Sequence, residues 1–308
     1  MYKKMLVTLD GSKLAEVVLF YAEELAGRLD LDLTLLNVAE KGDESSLSIN
    51  RSYIEAMAEH IRHHSVKIQD KTGKKSDVKA VETQGIVLTG HAAEEILRYS
   101  DENDIDLILI ASHGHSGIRH WALGGVVDKV LRASKVPVWL VRAGIPEEIV
   151  QDEWPQRTML VPLDGSKFAE AVLPHVEALA KQRGAELVNI VLLHVCEPPF
   201  ITADYPEASM ELTWQEHVEK ERAWEKKGSE RYLAGVQKRL IDAGLRVQSE
   251  VLLGHPVDTI IDYANRYPMN LIVLSTHGRT GILRWAYGQV ADKVLQRSIS
   301  PIFLVRPH

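Results

Sequence analysis

The sequence contains a single cysteine, Cys196, among its 308 residues, so no disulfide can form within the chain. This scarcity suits a reducing compartment, and the cytoplasm is the expected location. Cys196 follows an apolar run, where a thiol is more often a small packed side chain than a nucleophile. No run of about 20 apolar residues occurs, and the first residues lead directly into an expected strand. We therefore expect neither a membrane span nor a signal peptide.

An excess of basic residues is also lacking. The chain carries 36 Lys and Arg against 43 Asp and Glu, which gives a net charge of −7. A broad nucleic-acid-binding surface normally needs a basic stripe, so this class of partner is not expected. A small phosphate site stays open, because backbone amides bind anions whatever the global charge.

Motifs of efficient catalysis are missing as well. The sequence contains no G-x-S-x-G elbow, no H-E-x-x-H pair and no G-x-x-x-x-G-K-[S/T] loop. No candidate nucleophile has an identifiable base. We therefore do not predict an efficient enzyme, while slow hydrolysis of a bound nucleotide stays open.

One histidine cluster suggests a metal. His60, His63 and His64 lie at helical spacing, which suits a metal-binding helix face. The sequence offers no evident Cys, Asp or Glu partner for them. The favoured interpretation is a solvated helix face.

The chain repeats itself once. The matching blocks are Met5–Lys13 with Met159–Lys167, Ser112–Ile118 with Thr276–Ile282, and Val136–Arg142 with Ser300–Arg306. The offset is 154 residues for the first block and 164 for the other two, so the second copy is longer in its middle. A period of this size indicates domain duplication rather than a solenoid. The sequence predicts domains at 1–143 and 158–308, with a proline-containing acidic linker at 144–157.

Within each copy, short apolar runs alternate with amphipathic helical patterns. The expected strands are 4–9, 32–38, 78–84, 106–111 and 137–142 in the first copy, and 158–163, 186–195, 246–252, 270–275 and 301–305 in the second. Two of the runs, 106–111 and 270–275, are apolar almost throughout, which is typical of central parallel strands buried on both faces. The segments 44–72 and 203–243 are charged and predict covering helices. The pattern predicts two α/β domains with doubly wound parallel sheets.

Three features follow strand ends, where open parallel sheets bind ligands. Asp-Gly-Ser follows the first strand of each copy, and Val38 and Val195 end the second strands. Gly-rich stretches, 111–125 and 275–289, follow the fourth strands and open onto a helix. Helix amino termini favour anions, so a mononucleotide would place its base near the Asp and Val and its phosphates near the glycines.

These motifs, with Gly90-His-Ala and Gly254-His-Pro before a helix, resemble the universal stress protein family in its tandem two-domain form. The resemblance implies an adenine nucleotide alpha hydrolase-like fold, with five parallel strands in the order 3-2-1-4-5. It also implies ATP or another adenine nucleotide as ligand, with Mg²⁺ only where ATP binds. The implied site residues are Asp10, Val38, Ala111, His113, Gly114, Gly124 and Gly125, and in the second copy Asp164, Val195, Ser275, His277, Gly278, Arg279, Gly288 and Gln289.

Both copies depart from the family loop G-x2-G-x9-G-[S/T]. Ala111 and Ser275 replace its first glycine, and Gly125 and Gln289 replace its closing hydroxyl residue. Two functions therefore stay open. The chain is either a stress-response protein that senses adenine nucleotide in one or both loops, or an interaction protein of the same fold that has lost the nucleotide.

The last strand of each copy is apolar and would leave an exposed sheet edge, which is a pairing hazard. We expect the two edges, 137–142 and 301–305, to meet within one chain and form a pseudo-twofold pair. A homodimer is compatible with this arrangement, but no residue points to it.

Overall fold

The protein is represented by a computed structural model, which describes residues 2–42, 44–71, 81–113, 123–143, 157–197, 214–267, 269–277 and 288–307. The first half contains β1 (Lys4–Thr8), α1 (Val17–Leu29), β2 (Asp32–Ala39), α2 (Glu44–Lys71), β3 (Thr83–Thr89), α3 (Ala92–Glu102), β4 (Leu107–Ala111), α4 (Gly125–Ala133) and β5 (Val138–Val141). The second half contains β6 (Arg157–Pro162), α5 (Lys167–Glu170), α6 (Leu173–Arg183), β7 (Val188–Cys196), α7 (Trp214–Asp242), β8 (Arg246–Leu253), α8 (Pro256–Arg266), β9 (Leu271–Ser275), α9 (Gln289–Arg297) and β10 (Ile302–Val305). None of these helices has the length and apolar character needed to cross a lipid bilayer.

The strands form one sheet in the order β3-β2-β1-β4-β5-β10-β9-β6-β7-β8. Read within each half, this is the expected order 3-2-1-4-5, with parallel pairing throughout. The doubly wound α/β fold is thus confirmed. The two five-stranded units join at β5 and β10, which pair antiparallel.

The central strands are buried because helices cover both faces of the sheet. On β1, Met5 and Val7 pack into one core layer with α1, α2, α6 and α7, while Leu6 points into the other. The second layer takes its side chains from α3, α4, α8 and α9. Strands β4 and β9 are buried along their whole length, as their continuous apolar runs predict.

Contacts near the β5–β10 junction repeat across the two halves. Trp139 and Phe303, which are equivalent residues of the duplication, face each other in register with their rings edge to face at 5.8 Å. Arg142 donates from Nε to the carbonyl of Ser298 at 3.1 Å, and its counterpart Arg306 donates to that of Arg132 at 2.9 Å. Arginines of both halves thus donate across the junction to the end of the helix in the other half.

The prediction of the third strand at 78–84 is wrong in its end, since β3 runs from Thr83 to Thr89, while 78–80 lie outside the described residues. The true segment contains an interior glycine, Gly85, a residue that weakens a strand pattern. A Cβ placed on Gly85 would lie 2.5 Å from Cγ2 of Ile54, a fully buried residue of α2. The glycine therefore marks a close approach of helix to strand, which is one of the reasons glycine occurs inside strands.

We expect Gly85→Ala to lower the free energy of unfolding by about 1–3 kcal/mol, because the added methyl group overpacks against the branched Ile54 side chain. Gly235→Ala is the matched control. Gly235 lies inside α7 with nothing within 4 Å of the added Cβ, so alanine should stabilise by about 0.5–1 kcal/mol. Urea unfolding of both variants measures the difference. Equal stability of Gly85→Ala and the parent would contradict the packing of α2 on β3.

Candidate functional site

A cavity of about 530 Å³ lies at the carboxyl edge of the second half. Its walls come from the ends of β6, β7 and β9 and from the start of α9, which is where the strand order reverses. The predicted site residues that line it are Asp164, Val195, Ser275, His277, Gly288 and Gln289. The structure thus brings together every described residue of the second predicted site. Gly278 and Arg279, like Gly114 in the first half, lie outside the described residues.

The Asp-Gly-Ser motif forms a turn at the end of each first strand. Oδ1 of Asp164 accepts from the Ser166 amide at 2.9 Å, and Oδ1 of Asp10 accepts from the amide and hydroxyl of Ser12 at 3.0 and 2.6 Å. The intervening Gly165 has φ +84°, a left-handed conformation that side chains rarely adopt. Sequence spacing explains this turn, which positions the carboxylate at the cavity wall.

The second strand adds residues that sequence reasoning missed. Next to Val195 on β7, His194 is buried, lines the cavity and lies with its ring centre 6.2 Å from that of Tyr232 on α7. Asn37 is its counterpart in the first half and donates from Nδ2 to the Leu9 carbonyl at 3.0 Å. The sequence did contain a signal, namely a polar residue within an apolar run. Such a residue indicates a specific contact, because buried polar groups need a hydrogen-bond partner.

Two further acidic residues of the cavity were also missed. Glu197 follows β7, and Glu225 reaches the cavity from α7, which sequence reasoning treated only as a covering helix. Burial, and after it the charge of Glu170, raises the pKa of Tyr232 on the same helix, so its phenol stays protonated. Because it supplies Glu225, α7 forms part of the cavity wall.

The histidines after the fourth strands are buried. Nδ1 of His277 lies 2.8 Å from Oγ1 of Thr276, and Nδ1 of His113 lies 3.0 Å from Oγ of Ser112. Each ring therefore lies against the hydroxyl of the residue before it. His277 also lines the cavity. It is 7% exposed, and its Nε2 has no hydrogen-bond partner among the described residues.

Helices α4 and α9 begin directly after Gly124 and Gly288. Gly124 and Gly288 are their N-cap residues, and neither helix has a side-chain cap among the described residues. Each cap glycine is held by its own amide, which donates to the carbonyl of Ser112 at 3.0 Å and of Thr276 at 2.8 Å. Among the described residues, the following amides of the first turn have no side-chain acceptor, and such amides favour an anion.

The first half builds the same edge from Asp10, Val38, Ala111, His113 and Gly124. Ala111 is buried, and its methyl group replaces a hydrogen of the family glycine. Gly125 is open, because a Cβ added there meets nothing within 4 Å. The departures from the family loop in this half are therefore small in volume.

Charge in the second cavity is distributed unevenly. The carboxylates of Asp164, Glu197 and Glu225 come from β6, β7 and α7, on one side of the strand reversal. His277 and the amino terminus of α9 lie on the other side, where the helix dipole is positive. The acidic side suits hydrogen-bond donors or a cation, and the α9 side suits an anion.

We expect Ser166→Ala to cost about 1 kcal/mol of stability, because its Oγ caps α5 by accepting from the Ala169 amide at 3.1 Å. Ser52→Ala is the control, since Ser52 is an exposed residue within α2 and should be nearly neutral. Thermal unfolding compares the two variants. A loss in Ser166→Ala no larger than in Ser52→Ala would show that the cap contributes nothing.

Known proteins share both sequence and architecture with this chain. A universal stress protein of Mycolicibacterium smegmatis is 26% identical over 308 residues, covering 98% of this chain and 97% of that protein. Universal stress protein YxiE of Bacillus subtilis is 30% identical over 148 residues, covering 46% of this chain and all of the relative. The crystal structure of a universal stress protein from Archaeoglobus fulgidus superposes with a TM-score of 0.64 at 21% identity, over 98% of both chains, and shows the same fold.

The match to the family model covers both halves of the chain. The sequence model of the universal stress protein family matches residues 1–142 and again residues 156–306. Each match spans one copy of the repeat, with its Asp-Gly-Ser turn and its Gly-rich stretch. The chain therefore belongs to the universal stress protein family and carries two copies of its domain.

Proposed function

We propose that this protein binds an adenine nucleotide in the carboxyl-edge cavity and acts as a sensor or regulator in a stress response. One observation carries the proposal. The cavity joins the uncapped amino terminus of α9 to the buried ring of His277, whose Nε2 has no partner among the described residues. Both groups can form hydrogen bonds with a polar ligand. The cavity volume of about 530 Å³ lies in the range of small-molecule sites.

The uneven charge of the cavity orients the nucleotide. Phosphates bind at the α9 side, where backbone amides and the helix dipole favour negative charge. The base lies toward β6 and β7, where its amino group donates to Asp164 and its ring packs on Val195 and Ile260. Where the ligand is ATP, Mg²⁺ would accompany the phosphates at the α9 side, because it prefers oxygen ligands.

The first half supports a second site of the same kind. Its strand ends and helix start repeat those of the second half, with Gly124 as the N-cap of α4. The hydroxyl missing at Gly125 removes one hydrogen bond to phosphate, which weakens binding without abolishing it, since the backbone amide remains. The bulkier Gln289 stands at the corresponding position of the second half and either donates to phosphate or fills its space.

We expect Gly125→Ser to tighten ATP or AMP binding at the first site about tenfold, which corresponds to about 1.4 kcal/mol, close to the contribution of one hydrogen bond. Gly125→Ala is the matched control, because both side chains enter open space and only serine adds a hydroxyl. Calorimetric titration of nucleotide-free protein measures both. Weaker binding by the serine variant, with alanine unchanged, would show that phosphate does not lie at this helix start.

Nucleotide released on denaturing the purified protein, identified by chromatography and mass spectrometry, tests the proposal itself. Retention of ATP or AMP, or binding tighter than about millimolar on titration, supports it. If neither is found for the parent chain, the nucleotide function is refuted. The degenerate loops would then mark the alternative, an interaction protein of the same fold.

The two domains, at 1–143 and 158–308, are further proposed to associate in solution through β5 and β10. The antiparallel register and the Trp139–Phe303 ring contact support this arrangement. A cytoplasmic location stays a prediction that rests on the scarcity of cysteine. A homodimer has no residue assigned to it.

We expect a radius of gyration of about 19 Å, the value for 308 residues folded as one body, because the paired edges leave no free hinge between the domains. Small-angle scattering measures the radius, and light scattering measures the mass against 34.5 kDa for one chain. A radius several ångströms larger at the mass of one chain would contradict the pairing. Twice the mass would instead reveal the homodimer.

A further inference from the structure

The first half contains a cluster of two histidines and a carboxylate away from the carboxyl-edge cavity. Nε2 of His60 lies 3.1 Å from Oε1 of Glu23, and Nδ1 of His64 lies 3.8 Å from the same oxygen. One candidate ligand atom from each residue falls within 4.8 Å of those of the other two. The sequence showed the histidines but no partner, because Glu23 comes from α1, far away along the chain.

The spacing of the two histidines on α2 brings their rings together. His60 and His64 are one helical turn apart on α2, so their rings share a face, with ring centres 4.2 Å apart. Helical histidines at this spacing are a frequent source of two metal ligands. The Glu23 side chain is 15% exposed, while those of His60 and His64 are 52% and 39% exposed, so the site opens to solvent on the α2 side.

The donor set has a clear chemical preference. Two imidazoles and a carboxylate suit Zn²⁺, which takes three protein ligands and a water in open sites. His64 has to turn to join, since its Nδ1 also contacts the His60 carbonyl at 3.0 Å, and its half-exposed ring has room to do so.

The duplicated half provides an internal comparison. Tyr53 on α2 donates to Glu16 at 3.0 Å. Tyr232 on α7 lies beside Glu170, whose charge contributes to its raised pKa. Because Glu16 and Glu170 are equivalent in the repeat, these two tyrosines align the long helices with each other.

The aligned positions in the second half cannot bind a metal. Arg239 and Ala243 stand where the first half has its two histidines. Glu177, the counterpart of Glu23, accepts from Lys181 at 2.6 Å instead. The histidine pair is therefore specific to the first domain and is not required by the shared fold.

We propose that Glu23, His60 and His64 form a Zn²⁺ site that joins α1 to α2 in the first domain. The bound ion would fasten the long helix to the sheet-covering layer, since α2 contacts α1 along this face. The site is separate from the proposed nucleotide cavities, because none of its three residues follows a strand end. Its failure would leave the nucleotide proposal untouched.

Calorimetric titration of chelator-treated, untagged protein with Zn²⁺ near neutral pH tests the site. We expect one zinc per chain, weakened about tenfold or more in His60→Ala, His64→Ala and Glu23→Gln. His63→Ala is the matched control, because His63 is an exposed neighbour on the same helix outside the cluster, and it should bind as the parent does. Mg²⁺, a hard cation, should not compete at similar concentration.

Thermal unfolding provides a second readout. Zn²⁺ should raise the midpoint of the parent and of His63→Ala but not that of His60→Ala, because only a metal held by the folded form stabilises it. Circular dichroism checks that the variants fold, and Glu23→Gln carries the test should a histidine variant fail to do so. No zinc bound by the parent, or an equal loss in His63→Ala, overturns the proposal.

Discussion

Parallel strand pairing is the constraint on which the rest of this molecule depends. Because β6 pairs with β7 on one side and β9 on the other, the helices that follow these strands leave the sheet on opposite faces. A crevice opens between them at the carboxyl edge. The turn at Asp164, the helix start at Gly288 and the buried ring of His277 meet there for this reason alone.

Duplication preserved the constraint and let the side chains diverge. The two halves have the same strand order and the same cap glycines, yet Asn37 corresponds to His194 and Ala111 to Ser275 in the repeat. Divergence is strongest on the long helices, which pack on the sheet through a few buried residues and expose the rest. This freedom allows α7 to bring an acidic residue into the second cavity, and α2 to carry a histidine pair that the other half lacks.

Much of the fold could be predicted because burial leaves a local trace. Continuous apolar runs identified β4 and β9, and the 3.6-residue period identified the covering helices. The same logic failed at the end of β3, where Gly85 weakens the strand pattern although it reflects contact with Ile54, thirty-one positions earlier in the chain. A residue chosen for a distant neighbour carries no local signal.

The sequence by itself determined the repeat, the alternation of strands and helices, and the positions of the turns, because these depend on neighbouring residues and on the period of apolar side chains. Only the tertiary structure decided which groups meet. Glu225 enters the cavity, Glu23 reaches the histidines of another helix, and β5 pairs with β10 across the junction. Such contacts join residues that are far apart in the sequence, and a local pattern of residues does not predict which of them meet.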